Sequence, residues 1–270
     1  MSRPHAEDGL IFSAHFCILT VLLRGTFAAF IHSCESPTDV GYTTQDVSAK
    51  KYNAIGACFA GVGADGTFKL NNIVPTGWDY ENDELRIINP ANSATTQGFV
   101  WLTAEEATEG GVGTKAGWYD GSEFTYEGDQ ELDLGSGLLT SLFSKGVSFT
   151  YSGEVYAESF ALDCSNKKYN IVPNALPRAI KVNEIVPTGW DYENDELRIL
   201  NPANSATSQG LVWLTAEEAT EGGVGNKAGW YDGSEFTFEG NHEFEPGYGF
   251  LTSLFSKGVI FSYPSAVAAE

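Results

Sequence analysis

IVPTGWDYENDELRIINPANSATTQGFVWLTAEEATEGG, residues 73–111, returns as IVPTGWDYENDELRILNPANSATSQGLVWLTAEEATEGG at residues 185–223. The match runs on through AGWYDGSEFT and LTSLFSKGV to Tyr151 and Tyr263, at a constant offset of 112. About 14 substitutions fall in that block, most of them mild, such as Ile88 to Leu200 and Tyr126 to Phe238. Upstream, DVSAKKYN at residues 46–53 corresponds to DCSNKKYN at residues 163–170, after which the second copy is five residues shorter. A period of about 110 residues is too long for a solenoid coil and suits a self-contained domain. The expected organisation is a leader over residues 1–34, one module over 40–155 and a second over 156–264.

Period-two alternation dominates the repeated unit. In SKGVSFTYSGEV, Val147, Phe149 and Tyr151 share one face, with Ser148, Thr150 and Ser152 on the other, as a half-buried strand requires. DELRIIN sets Leu85 and Ile87 opposite Arg86, and FVWLT is short and apolar enough for a covered strand. GWYDGSEFTYEG reads as a hairpin turning at Asp120-Gly121 in type I′ geometry, and GADGTFKL offers a second such turn at Asp65-Gly66. The one helical signal is TAEEA, where Thr103 and Glu106 form a capping box and Gly110-Gly111 stop the helix. About seven strands per copy, with frequent turn signals, predict an all-β chain of two tandem β-sandwiches or small barrels. In the second copy, Pro173 and Pro177 are expected to shorten or distort the second strand.

Acidic residues number 36 against 15 basic, for a net charge of −21. Phosphate neutralisation needs basic side chains, so a nucleic-acid partner is excluded, and anionic lipid is disfavoured for the same reason. The charge belongs to the repeat. Residues 73–152 hold 13 acids and three bases, and residues 185–263 hold 12 and three.

Residues 10–31, LIFSAHFCILTVLLRGTFAAFI, read as an export signal with small residues at Ala28 and Ala29, although Glu7, Asp8 and Arg24 depart from the pattern; a signal anchor and a misassigned start or ordinary N-terminal segment are the alternatives. The uncharged run is shorter than the ~18 residues a membrane span needs, so no membrane insertion of the mature modules is expected. Cys17 and Cys34 fall in the leader. Cys58 and Cys164 align with Ala175 and Val47, so no disulfide framework is duplicated with the module. Two buried thiols, or a single bridge between the copies, remain the alternatives.

Histidine is nearly confined to the leader, and His242 meets Gln130 in the other copy. A His-based triad or zinc site is therefore excluded. The sharpest polar cluster is Asp79-Tyr80-Glu81-Asn82-Asp83-Glu84, repeated at residues 191–196. Alternating acids at Asp79, Glu81 and Asp83, and at Asp191, Glu193 and Asp195, supply hard oxygen ligands suited to calcium, although the spacing is not that of an EF-hand. A solvated turn is the competing reading. Beside them, Trp78, Tyr80, Trp190 and Tyr192 offer an aromatic platform next to carboxylates, a workable sugar site, with packing as the alternative. Trp101 and Trp213 sit in apolar runs and read as core. Glu105, Glu106, Glu217 and Glu218 read as helix caps rather than as a catalytic pair, which sets a glycoside hydrolase third among the readings.

The module opening VGYTTQDVSAKKYNAIGACF, with NNIVPTG, AGWYD, LGSGLLTS or PGYGFLTS and a closing SGEV, resembles uncharacterised secreted bacterial tandem-repeat β proteins across residues 40–264. That resemblance implies export and a β-rich module, and brings no activity or site residues. The expected function is an extracellular or cell-surface binding module for carbohydrate or another surface protein. The alternative is a structural matrix or envelope component that assembles with calcium.

Overall fold

The computed structural model describes residues 40–47, 52–61, 67–88, 98–156, 158–164, 169–200, 208–256 and 258–266. The leader and the Asp65-Gly66 turn lie outside them. Over the described residues the fold is all-β, with two short α-helices. In the first copy the strands are β1 Val40–Asp46, β2 Tyr52–Gly56, β3 Phe68–Lys69, β4 Ile73–Thr76, β5 Glu84–Ile87 and β6 Gly98–Leu102. Helix α1, Ala104–Glu109, precedes β7 Gly117–Asp120, β8 Glu131–Leu132, β9 Gly137–Ser141 and β10 Ser148–Glu154. The second copy repeats them as β11 Phe160–Asp163, β12 Tyr169–Pro173, β13 Ile180–Lys181, β14 Val186–Thr188, β15 Glu196–Leu200 and β16 Ser208–Leu214. After α2, Ala216–Glu221, come β17 Gly229–Asp232, β18 Glu243–Phe244, β19 Gly249–Ser253 and β20 Ile260–Tyr263. No helix among the described residues is long and apolar enough to cross a membrane.

Each copy contributes a three-stranded sheet (β1-β10-β4; β11-β20-β14), a five-stranded sheet (β2-β9-β5-β6-β7; β12-β19-β15-β16-β17) and a two-stranded ribbon. Every pairing among the described strands is antiparallel, and most join strands far apart in the sequence. Alternation sets the inward face: Val147, Phe149 and Tyr151 are buried while Ser148, Thr150 and Ser152 are half-buried. One apolar cluster draws Phe149 and Tyr151 from the three-stranded sheet and Ile55, Leu85, Phe99, Trp118 and Leu138 from the five-stranded one. Phe261, Tyr263, Val172, Leu197, Leu211, Trp230 and Phe250 do the same in the second copy.

The capping box forms as the sequence predicts. Thr103 accepts from the Glu106 N–H at 3.2 Å, and Glu106 accepts from the Thr103 N–H at 2.7 Å. Gly110 and left-handed Gly111 end the helix. The hairpin after β7 is real, with Tyr119 bridging to Tyr126, but its turn is not type I′. The left-handed residue is Phe124, with φ 53°, rather than Gly121. The reason is the Asp120 carboxylate, which accepts from the N–H groups of Ser122 and Glu123 and from the Ser122 hydroxyl, and so builds a wider turn.

Pro173 does not shorten the second strand of the second copy. β12 pairs with β19 over five positions, as many as β2 makes with β9, because the proline takes the last one. Here the copies meet. The Gly56 N–H donates to the Gly247 carbonyl at 3.0 Å, and Ile55 bridges to Tyr248. A Cβ on Gly56 would lie 2.5 Å from Pro173 Cγ, and one on Gly137 would lie 2.5 Å from Ile171 Cβ. Only hydrogen at those positions allows so close a backbone approach.

Candidate functional site

The segment Trp78–Asp83 joins β4 to β5 and lies against the loop that joins β9 to β10. One buried carboxylate links them. Asp83 is 2% exposed. Its Oδ1 accepts from the N–H groups of Phe143 and Ser144 at 2.7 and 2.9 Å, and its Oδ2 accepts from the Asp79 N–H at 2.9 Å. Asp195 repeats this on Phe255, Ser256 and Asp191 at 2.7, 2.9 and 3.0 Å. Three N–H donors satisfy most of the capacity of an ionised carboxylate, which is how a charge is tolerated inside a protein.

The other acids behave differently. Asp79 turns back on its own loop, its Oδ1 accepting from the Glu81 N–H at 3.0 Å and its Oδ2 from Asn82 Nδ2 at 2.8 Å. In the second copy the Asn194 amide and the Glu193 N–H hold the Asp191 carboxyl below its ordinary range. Glu81 and Glu193 point to solvent. The acids expected to converge on calcium are thus divided, one buried, one spent on its turn and one exposed. Among the described residues no three His, Cys, Asp or Glu side chains are grouped to hold a metal ion. Alternate residues in a coiled turn need not share a side, and the backbone N–H groups take the oxygens first.

The aromatic expectation divides as well. Trp78 is half-buried, packing edge-on against Trp118 at 5.1 Å and Phe149 at 6.0 Å. Trp101 also meets Trp118, at 5.4 Å, so two half-buried indoles pack against one fully buried indole. Trp190, Trp230 and Trp213 repeat the cluster at 5.0 and 5.4 Å. Trp118 Nε1 donates to the Ile73 carbonyl at 2.8 Å, whereas the buried Trp78 Nε1 has no partner among the described residues. Two edge contacts of about 0.5–1.5 kcal/mol each offset an unpaired N–H that costs about 1–3 kcal/mol. Packing therefore claims the indoles that the sequence offered as a platform.

Tyr80 and Tyr192 do reach the surface, at 36% and 37% exposure. The negative charge of Glu81, then slight desolvation and the charges of Glu106 and Asp79, push the Tyr80 phenol above its usual range. This ring stands among carboxylates. The sequence reading missed the most exposed rings among the described residues, Phe143 at 64% and Phe255 at 63%. They belong to the loop that Asp83 and Asp195 hold by its N–H groups. A signal was present: in SLFSKGV, Leu142 and Phe143 are adjacent, and a β end gives only one of them to the core. Leu142 is buried and Phe143 is left outside.

Cys58 and Cys164 are both buried and neither is in a disulfide, so the bridge between copies is not formed. Burial pushes the Cys58 thiol far up, which leaves it protonated and inert. Compared with known protein families, curated proteins and solved structures, the chain matches none of them.

Proposed function

We propose that the chain is an exported, acidic binding protein made of two β-sandwich modules, each holding carbohydrate against a surface-exposed aromatic loop. In each module a three-stranded sheet would face a five-stranded one across the apolar cluster that draws on both. The observation that carries the reading is Phe143 and Phe255, each more than three-fifths exposed on a loop whose backbone is pinned by a buried carboxylate. A phenyl ring left about three-fifths exposed forgoes on the order of 1–2 kcal/mol of burial, and here the fold forgoes it twice. A ring on a pinned backbone loses little further freedom on binding, so its contact is not spent on ordering the loop. The pyranose face is apolar and stacks on such a ring, while the exposed carboxylate of Glu81, two residues from the Asp83 that holds this loop, would accept hydroxyl hydrogen bonds. Two equal sites on one chain favour a repeating polymer, because the second engagement is intramolecular.

Affinity electrophoresis of the full chain through gels containing neutral or acidic polysaccharides tests this. Retardation by at least one polymer is expected, reduced in Phe143→Ala or Phe255→Ala and abolished in the double variant. Mobility unaffected by every polymer tried, or unchanged retardation of the double variant, overturns the reading.

A further inference from the structure

We infer that one water molecule is bound in the crevice between the two repeat copies, hydrogen-bonded to the side-chain amide of Gln45. Gln45 lies on β1 and is 4% exposed. Its Oε1 accepts from the Tyr151 hydroxyl at 2.9 Å. Its Nε2 carries two N–H donors, is buried, and has no hydrogen-bond partner among the described residues. Buried amides are rarely left so, because the lost hydration is not recovered. Gln45, Asn53 and Ala54 of the first copy and Leu200, Tyr248 and Gly249 of the second line a crevice of about 10 Å³. That is room enough for a water molecule. None of these residues, nor Val47, which completes the lining, is charged, so neither an anion nor a cation is favoured there.

The inference does not depend on which way the amide is turned. Exchanging Oε1 and Nε2 would let Tyr151 accept and would leave an amide oxygen without a partner. Water serves either case, since it both donates and accepts. Gln45, Asn53 and Tyr248 are polar residues of the lining drawn from both copies, and a bridging water joins polar groups nearly as well as a direct hydrogen bond. The site would thus tie the copies together beside the Gly56–Gly247 backbone contact.

A high-resolution crystal structure of the full chain tests this directly. An ordered peak about 2.7–3.2 Å from the Gln45 amide is expected. An empty crevice, or a protein group within that distance of the unpaired amide atom, overturns the inference. Rotating-frame water–protein cross-relaxation on the labelled full chain gives the same answer in solution. Cross-peaks from water to the Gln45 amide protons are expected in the native protein and lost in Ala54→Val, whose added methyls fill the crevice. Cross-peaks absent from the native protein, or surviving unchanged in the folded variant, count against it.

Discussion

Replacing Asp83 by alanine removes the acceptor of three backbone N–H groups at once, those of Asp79, Phe143 and Ser144. A hydrogen bond to a charged group contributes about 1.5–3 kcal/mol, and losing an acceptor strands its donor. The loop residues Phe143 and Ser144 lie at the surface and recover part of that from water, so about 1–1.5 kcal/mol per donor is the fitting value, near 3–4.5 kcal/mol in all. Asp83→Asn keeps one oxygen for Phe143 and Ser144 but turns an amide toward the Asp79 N–H, and is expected to cost about half as much. Urea denaturation followed by tryptophan fluorescence measures both, with the midpoint shifted at unchanged slope. The indole cluster around Trp118 reports on the same copy. The loop should also loosen, so amide exchange at Phe143 and Ser144 should quicken in Asp83→Ala more than exchange in β6. A loss below about 1 kcal/mol for alanine, or equal losses for alanine and asparagine, refutes the clasp. So does unchanged exchange at Phe143.

Gly56→Ala drives a methyl into Pro173 and against the Ser136 carbonyl, 2.9 Å from the added Cβ, and should cost about 1–3 kcal/mol as overpacking, with part of it recovered in the Gly56→Ala/Pro173→Gly double variant; additive losses would show that the two do not touch. Asp232 is held down to about 2, first by the Ser234 hydroxyl and then by the Glu235 N–H. Its folded pKa lies below the ordinary carboxylate value, so its stabilisation is complete above about 4 and lost as pH falls through about 2. Carbon-detected titration of Asp232 should show that low midpoint, and a midpoint near 4 would contradict it. Cys58 and Cys164 should resist alkylation in the native chain and react fully in guanidinium without reductant; rapid native labelling would contradict the burial.

Much of the architecture was legible in the chain itself. Val147, Phe149 and Tyr151 mark their strand by a period that only a sheet satisfies, and Thr103 and Glu106 close the helix through contacts three residues apart. These are local interactions, and local spacing encodes them. The acidic segment was equally legible as a motif but not as a mechanism. Asp83 and Phe143 stand 60 residues apart, and no pattern in either segment says that one carboxylate will bind the other's backbone. Trp78 looked surface-bound beside Gly77 and Asp79, yet its ring is turned by Trp118 and Phe149, which reach it from other strands. The Asp120-Gly121 turn failed for a nearer reason, since the Asp120 side chain offers its N–H neighbours a better acceptor than type I′ geometry leaves them.

The sequence by itself determined the repeat, the all-β class, the capped helical turns and an acidity shared by both copies. Those follow from periodicity, short-range hydrogen bonding and composition. Only the tertiary structure decided which acid is buried, which aromatic rings face water and how Gly56 meets Pro173. Each of those depends on which distant backbone arrives first at a side chain's polar atoms or its open face, and that is settled when the sheets pack.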